Sequence, residues 1–325
     1  MAIDLLNIQP TVITRDLSNK YILLAAPYKY GKTTFMSSIP NALVLSFEPG
    51  LNAQAGVYAQ KVLTWNDMKI VARELKRPEV QQKYTTVCFD TIDIAAQLCQ
   101  DYICASAGVT TLGEVPYGKL YDQYKIEFSK VIRGIANLGY GCVFACHTEI
   151  KELPTNQENI TIERLQPKLD KRAFDLINSL VDIIGVGVME FDGNGQQKRV
   201  LYTQETPTVR AGARFKFLPS KIDFSYEALI KALSEAIDKE EQFKSGSVVD
   251  KVEVKEELNF DDLLYSARRL WANLVGSGDE AKPQVALTIL NKVKDITGKD
   301  MKLSDFTEAN VKELSQVVNF MEDMA

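Results

Sequence analysis

The sequence predicts an α/β protein whose mostly parallel sheet is followed by a small C-terminal all-α domain. Over the first 190 residues, short apolar runs alternate with helical patterns, which is the order expected when helices join parallel strands. Beyond a charged stretch, only helical patterns remain. We therefore expect a core at residues 1–238, a flexible linker at 239–257 and a helical domain at 258–325.

The elements of the core follow from the spacing of apolar residues. Four apolar runs predict strands: Tyr21–Ala26, Ala42–Phe47, Tyr84–Asp90 and Gly141–His147. Helical patterns, with apolar residues recurring at steps of three and four, cover Lys32–Ser38, Trp65–Leu75, Thr91–Ser106, Lys119–Leu138 and Ser225–Ile237. Two further strand patterns, joined by a glycine-rich turn, predict a hairpin: Leu180–Phe191 and Lys198–Thr203. Two long connections predict functional loops: Ala107–Gly118 and Thr148–Lys171.

The C-terminal part differs from the core in charge. Ten of the nineteen residues at 239–257 are charged, which is typical of a linker. Three helices are predicted beyond it, at Phe260–Leu274, Glu280–Ile296 and Glu308–Met321, with a capping box from Ser277 to Glu280. From residue 239 onward there are 17 acidic and 12 basic residues, so this part is a poor DNA binder. We expect it to be a protein-interaction module.

The composition is that of an ordinary globular protein, with 46% hydrophobic and 25% charged residues. No apolar stretch approaches the length of a membrane span, and no secretion signal precedes the core, so we expect a cytoplasmic protein without a membrane partner. Cys142, Cys146 and His147 could suggest a zinc site. Cys142, Phe144 and Cys146 instead alternate along one predicted strand, and His147 is the only histidine of the sequence. Buried thiols in a reducing compartment are therefore the favoured interpretation for all five cysteines.

The strongest motif is a phosphate-binding loop. The strand at residues 21–25 leads directly into Ala-Pro-Tyr-Lys-Tyr-Gly-Lys-Thr, which is the Gly-x-x-x-x-Gly-Lys-Thr pattern with alanine in the first position. Backbone N–H groups of such a loop wrap phosphates, its lysine contacts the β- and γ-phosphates, and its threonine hydroxyl binds Mg²⁺. Glycine in the first position removes any side chain from a tight bend, so the alanine puts the loop geometry in doubt. The predicted nucleotide-binding residues are Ala26, Pro27, Tyr28, Lys29, Tyr30, Gly31, Lys32, Thr33 and Thr34.

Three other strand ends carry polar side chains. Asp90 ends an apolar strand and would hold Mg²⁺ together with Thr33, while Asp93 is expected to cap the following helix. Glu48 follows the second strand, which we expect to lie beside the phosphate-loop strand; Glu48 would orient and activate water, unless it is a solvated loop residue. His147 ends a further strand and would sense the γ-phosphate, unless its role is structural.

These features together resemble a known family. The order of strand, phosphate loop, strand and glutamate is similar to that of RecA-type recombination ATPases. More closely, the chain resembles the phage RecA-like nucleotide-binding proteins of the Sak-type single-strand annealing group, over roughly residues 15–238. The matching segments are Ala26–Phe35, Phe89–Asp93, Val115–Tyr121, Phe144–Thr148, Ala211–Phe215 and Leu218–Ile222.

The resemblance implies a RecA-like P-loop NTPase core that uses ATP and Mg²⁺. Thr33 and Asp90 would bind the metal, Lys32 the phosphates, and His147 would sense the γ-phosphate. Glu48 would activate the water. The resemblance also implies a homo-oligomer that binds single-stranded DNA and promotes annealing or strand exchange in phage recombination, in the host cytoplasm. A single-strand-binding protein or another recombination protein would then be a candidate partner for the helical domain.

The resemblance also indicates where DNA and neighbouring subunits would bind. Arg172 and Arg214 could act on a neighbour's phosphates, or could contact DNA. In the first long loop, Tyr117 and Lys119 pair an aromatic ring with a cation, which suits single strands, and Tyr121 adds a ring unless it is buried. The second loop adds Lys151, Lys168 and Lys171. The basic stretch at residues 193–222 is compatible either with a polyanion ligand or with a solvated hairpin face.

Two alternative functions stay open at this point. A nucleotide-gated interaction module with negligible turnover is compatible with the alanine in the phosphate loop and with the separate helical domain. A small-molecule kinase is less favoured, because we find no arginine-rich lid and Glu48 suits water better than a substrate hydroxyl.

Overall fold

The computed structural model describes residues 13–48, 54–154, 161–241, 248–249, 260–276 and 282–324. Contacts divide the chain into two compact units, Pro10–Val252 and Glu253–Ala325 together with Met1–Gln9. Most of the predicted linker lies outside the described residues. Its first residues do not form a linker, because the helix before it continues through Glu241.

The larger unit contains the strands. In chain order they are β1 (Ile13–Thr14), β2 (Tyr21–Ala25), β3 (Ala42–Ser46), β4 (Ala59–Lys61), β5 (Thr86–Asp90), β6 (Gly141–Cys146), β7 (Thr148–Pro154), β8 (Thr161–Pro167), β9 (Ile183–Phe191), β10 (Gln197–Tyr202), β11 (Gly212–Ala213), β12 (Lys221–Asp223) and β13 (Val248–Val249). Its helices are α1 (Lys32–Ser37), α2 (Trp65–Glu74), α3 (Pro78–Lys83), α4 (Ile92–Ala107), α5 (Lys119–Ala136), α6 (Lys171–Leu180) and α7 (Tyr226–Glu241).

The main sheet has the strand order β12-β10-β9-β2-β6-β5-β3-β4, with β11 also paired to β9. From β9 to β4 every neighbouring pair is parallel, whereas β10, β11 and β12 pair antiparallel. The phosphate-loop strand β2 therefore lies in the middle, between β6 and β9. Because parallel strands end at the same edge, the residues after β2, β3, β5 and β6 are brought to one edge of the sheet.

The sheet is buried on both faces, which explains why its strands are continuous apolar runs. Alternate residues of β2 point to opposite faces. Leu23 and Ala25 pack into a cluster with α2, α4, α5 and α6, whereas Ile22 and Leu24 pack with α1 and α7. All five cysteines are buried and free, as predicted for thiols in apolar segments.

The second predicted loop is wrong in part. Within Thr148–Lys171, β7 and β8 form an antiparallel pair of their own, with Thr148 opposite Pro167. Most residues of this two-stranded ribbon are exposed or half-buried, and within it only Gln166 and Pro167 are buried, so its sequence lacks the apolar alternation that identifies a strand. Helix α6, the short helix α3 and the edge strand β4 were not predicted either. The predicted hairpin is confirmed, since β9 and β10 pair antiparallel.

The smaller unit is helical. It contains α8 (Phe260–Val275), α9 (Pro283–Thr297) and α10 (Val311–Asp323), which pack around Ile289, Val293, Leu314, Val317 and Met321. The predicted capping box at Ser277 lies outside the described residues. The fold class, α/β with a mostly parallel sheet and a small C-terminal all-α part, is confirmed. In the part of the chain described here, no helix is long and apolar enough to cross a membrane.

Candidate nucleotide-binding site

The phosphate loop connects β2 to α1 at the carboxyl edge of the sheet. Its backbone turns at two positive φ angles, 58° at Lys29 and 107° at Gly31. The Gly31 carbonyl accepts the first helical hydrogen bond of α1 from Phe35 N, at 2.9 Å. Glycine is required at position 31 because an L side chain is strained at this φ.

Ala26 occupies the position where the motif has glycine. Its φ is not positive, so alanine costs no backbone strain there. The residue is fully buried, and its N–H donates to the Cys146 carbonyl at 3.0 Å. Its methyl group has room because residue 187 of the neighbouring strand β9 is glycine: a Cβ at Gly187 would lie 2.9 Å from Ala26 Cβ and 2.7 Å from the Tyr30 ring. The doubt that this alanine raised about the loop geometry is therefore resolved by packing between strands.

We expect Gly187→Ala to destabilise the protein by roughly 1–3 kcal/mol, because the new methyl group overlaps Ala26, Tyr30 and the Phe224 ring. Urea unfolding of the full chain measures the change. Gly134→Ala is the matched control, since a Cβ there meets no atom within 4 Å; in helix α5 it should stabilise by roughly 0.5–1 kcal/mol. Equal stability of Gly187→Ala and the parent would contradict the close packing.

Lys32 is buried and is held by its own loop. Its Nζ donates to the carbonyls of Ala26 and Pro27, both at 2.9 Å. Burial lowers the pKa of Lys32, and the carboxylates at the same edge oppose this effect. To contact phosphate oxygens as predicted, the ammonium group would have to give up its hydrogen bonds to these carbonyls.

Thr33 and Asp90 meet at the carboxyl edge of the sheet: Thr33 lies in the first turn of α1, and Asp90 is the last residue of β5. The Thr33 hydroxyl donates to Asp90 Oδ2 at 2.7 Å. Burial raises the pKa of Asp90, while the Thr33 hydrogen bond and the charge of Lys32 lower it. A hydroxyl and a carboxylate are hard oxygen donors of the kind that Mg²⁺ prefers, so these two residues fit the predicted metal. When bound with the nucleotide, Mg²⁺ would neutralise negative charge on the phosphates.

His147 lies between two carboxylates. Its Nδ1 is 2.7 Å from Asp93 Oδ2, and its Nε2 is 3.8 Å from Glu48 Oε1. Burial is the largest single effect on Asp93 and acts to raise its pKa, but the hydrogen bond to His147 and the other favourable interactions of the carboxylate together outweigh burial, so the pKa is lowered. Asp93 is therefore an ionised carboxylate, which can only accept a hydrogen bond, so we assign the ring proton to His147 Nδ1 as the donor. The expectation that Asp93 caps α4 is wrong, since the cap position is Thr91.

Glu48 follows β3, and the position of β3 in the sheet differs from the predicted one. We expected its strand to lie beside β2, but β5 and β6 separate β3 from β2. The side chains nevertheless converge because all four strands end at one edge. Burial raises the pKa of Glu48, and Asp90 and Asp93 also raise it, whereas His147 and Lys32 lower it. A glutamate in this environment differs from a solvated loop residue.

The Tyr28 ring covers the cluster. It stacks on the His147 ring with a centroid distance of 3.8 Å and is itself 65% exposed. His147 is only 2% exposed as a result of this stacking and of the two carboxylates. Sequence reasoning assigned Tyr28 to the loop by position alone and could not place it against His147.

Comparison with known proteins assigns the chain to a family. A family model described as AAA domain matches residues 18–215, which is more than half of the chain and includes all the strand ends described above. The chain belongs to this AAA domain family. It is 27% identical to the SPbeta prophage-derived uncharacterized protein YorG of Bacillus subtilis (strain 168), in an alignment that covers 100% of this chain and 99% of that protein. The KaiC-like protein PH0186 of Pyrococcus horikoshii OT3 matches with a TM-score of 0.34 and 10% identity, over 64% of this chain and 86% of that one.

The chain thus has a P-loop ATPase-type domain, which confirms the predicted P-loop NTPase core. Membership of the family shows a nucleotide-binding domain, in agreement with the loop at residues 26–34. The roles of the individual residues stay predictions.

The predicted DNA-binding residues of the AAA domain have different surroundings. Tyr117 is 95% exposed, and Lys119 is exposed at the start of α5. The exposed Lys168 follows β8, and its N–H donates to the His147 carbonyl at 2.8 Å. Exposed Lys171 opens α6 next to Arg172, whose guanidinium carbon lies 4.3 Å from the centroid of the Tyr121 ring. Tyr124 is buried, and its hydroxyl donates to Asp170 Oδ2 at 2.6 Å.

Arg214 lies at the other edge of the sheet. Its guanidinium group contacts Asp182 Oδ1 at 3.1 Å and the Ser179 carbonyl at 3.1 Å, and Asp182 directly precedes β9. Within one chain it is therefore remote from the phosphate loop, and a role on phosphates would require a neighbouring subunit. Other cations of the basic stretch are also paired, Lys198 with Asp223 and Lys221 with Glu190.

Arg199 is a site residue that the sequence did not single out. Its Nη1 lies 3.5 Å from where a Cβ of Gly31 would be, and its guanidinium carbon is 5.6 Å from the centroid of the Tyr30 ring. The only sequence signal was its membership of the basic stretch. Strand pairing, not chain position, brings it to the phosphate loop.

Proposed function

We propose that this protein is an ATP-binding and ATP-hydrolysing phage recombination protein of the host cytoplasm. It binds single-stranded DNA as an oligomer and promotes annealing or strand exchange. The observation that carries the proposal is the convergence of Lys32, the Thr33–Asp90 pair and the Glu48–His147 pair at one sheet edge. The prophage-derived relative, which matches along nearly its whole length, supports the phage assignment.

Hydrolysis would depend on Glu48 and His147 acting together. Asp93 accepts a hydrogen bond from His147 Nδ1 and thereby fixes the orientation of the His147 ring. The pKa of Glu48 is raised, mainly by burial. A general base works best when its pKa lies near the operating pH, so this shift favours uptake of a proton from water. Lys32 would move from the loop carbonyls to the phosphates and place the substrate against this pair.

The DNA-binding part of the proposal is supported by exposed side chains and by one backbone connection. His147 is followed directly by the β7–β8 ribbon, and the chain returns from it at Lys168, which is hydrogen-bonded to His147. Lys168 and Lys171 thus lie close to the nucleotide site, while Tyr117 and Lys119 offer an exposed ring and cation. Arg172 and Arg214 are the proposed subunit-crossing residues.

ATP hydrolysis measured with and without single-stranded DNA tests this function. We expect DNA to stimulate the rate, and Tyr117→Ala/Lys119→Ala to weaken DNA binding about tenfold or more, since stacking one base contributes roughly 1–3 kcal/mol. Tyr265→Ala/Lys130→Ala removes another exposed ring and cation and should behave like the parent. Absence of DNA binding in the parent would refute the proposal.

The second candidate is a nucleotide-gated interaction module with negligible turnover. It is favoured by two contacts within the site: Lys32 donates to loop carbonyls, and the Tyr28 ring stacks on His147. The same assay separates the two: nucleotide binding without hydrolysis in the presence of DNA supports the module. Consumption of ATP only with an added metabolite would instead indicate the small-molecule kinase.

A further inference from the structure

The smaller unit contains an apolar pocket that the nucleotide chemistry does not use. Its volume is about 410 Å³, and it lies between α8, α9 and the short turn before Phe306. The pocket is lined by Arg268, Trp271, Leu290, Lys302, Leu303 and Ser304. The Trp271 side chain is only partly buried, so one of its surfaces is available in the pocket.

The charge of the lining is opposite in sign to the net charge of the C-terminal part of the chain. Residues 239–325 carry 17 acidic and 12 basic side chains, yet both charged residues that line the pocket are cations. Arg268 and Lys302 are exposed, and within the described residues neither forms an ion pair. Two acids lie close to Lys302 in sequence: Asp300 pairs with Lys294 at 3.0 Å, and Asp305 accepts a hydrogen bond from the Lys302 backbone N–H at 2.8 Å.

An apolar pocket with two cations at its rim fits one kind of ligand well. A large apolar side chain would be removed from water against Trp271, Leu290 and Leu303, and burial of apolar surface is favourable. Carboxylates flanking it would meet Arg268 and Lys302. A nucleic acid fits less well, because the surrounding acidic residues repel a continuous phosphate backbone.

We propose that this pocket binds an acidic peptide segment of a partner protein, anchored by one apolar side chain. The assignment does not depend on the ATPase activity of the larger unit. It defines both where the C-terminal part would recruit a partner and the chemistry by which that partner would be recognised.

Fluorescence anisotropy of the full-length protein with a labelled synthetic peptide tests the proposal. The probe has four aspartates followed by leucine and phenylalanine, and a second probe has lysines in place of the aspartates. We expect Arg268→Glu/Lys302→Glu to weaken binding of the acidic probe at least tenfold. Arg269→Glu/Lys299→Glu is the matched control, because it changes the net charge equally. Arg269 lies on α8 and Lys299 in the connection after α9; both are exposed, and neither lines the pocket. This control should bind within about twofold of the parent.

Trp271 supplies a second, independent readout. Binding of the acidic probe should shift its fluorescence emission, and Trp271→Phe should lose the shift while it keeps the fold. The proposal is overturned if the acidic probe does not bind, if both double variants bind alike, or if the lysine probe binds equally well. It is also overturned if a single-stranded oligonucleotide binds with the same dependence on Arg268 and Lys302.

Discussion

Lys32→Ala is expected to abolish nucleotide binding at micromolar concentrations and, with it, nucleotide-dependent DNA binding. Lys32 is the buried cation of the phosphate loop, and its Nζ, which donates to the Ala26 and Pro27 carbonyls, is the group predicted to contact the phosphates. Hydrogen bonds to charged groups contribute roughly 1.5–3 kcal/mol each, so losing its phosphate contacts corresponds to at least about a 100-fold weaker affinity. Isothermal titration with ATP and Mg²⁺ measures the change.

Two controls separate this effect from misfolding. Lys130→Ala removes an exposed lysine of α5 and should bind ATP like the parent. Lys32→Gln keeps a donor for the Ala26 and Pro27 carbonyls while it removes the charge, so it should keep the stability of the parent but not the affinity. If either Lys32 variant binds ATP and DNA like the parent, the loop is not the nucleotide site of this protein.

Glu48→Gln is expected to lower ATP turnover about 10²–10⁴-fold with little change in ATP affinity, since a positioned base contributes in this range and glutamine cannot accept the proton. Glutamine keeps the shape of the side chain beside His147, so the fold should be preserved. Single-turnover hydrolysis and ATP titration of the same samples give the two quantities. Glu235→Gln, at an exposed position of α7, should hydrolyse ATP at the parental rate. Parental turnover in Glu48→Gln would mean that Glu48 is only a loop residue.

The predictions from sequence succeeded where the information is local. The strand before the phosphate loop, the loop itself and helix α1 follow one another within seventeen residues, and apolar period and motif spacing identify them directly. The helices α4 and α5 were likewise placed to within a few residues, because each has one long apolar stripe. The β7–β8 ribbon was missed because its residues are mostly exposed or half-buried and form no such stripe.

The candidate site was predicted residue by residue but not in its arrangement. Sequence order suggested that the Glu48 strand follows next to the phosphate-loop strand, whereas β6 and β5 are inserted between them. Asp93 was expected to cap a helix, and its contact with His147, 54 positions away in the chain, depends on the pairing of β5 with β6. Arg199 approaches Gly31 only because β10 joins the sheet through β9.

By itself, then, the sequence determined that the core alternates strands with helices, that a phosphate loop follows the first strand of the parallel set, and that acidic and imidazole side chains terminate other strands. These properties depend on period, chain order and motif, which are local. Only the tertiary structure decided which strands are neighbours, that His147 lies between Asp93 and Glu48, and that Gly187 makes room for Ala26. Those contacts join residues far apart in the chain. They depend on which strands pair with each other, and strand pairing is determined by packing across the whole sheet and not by any local segment.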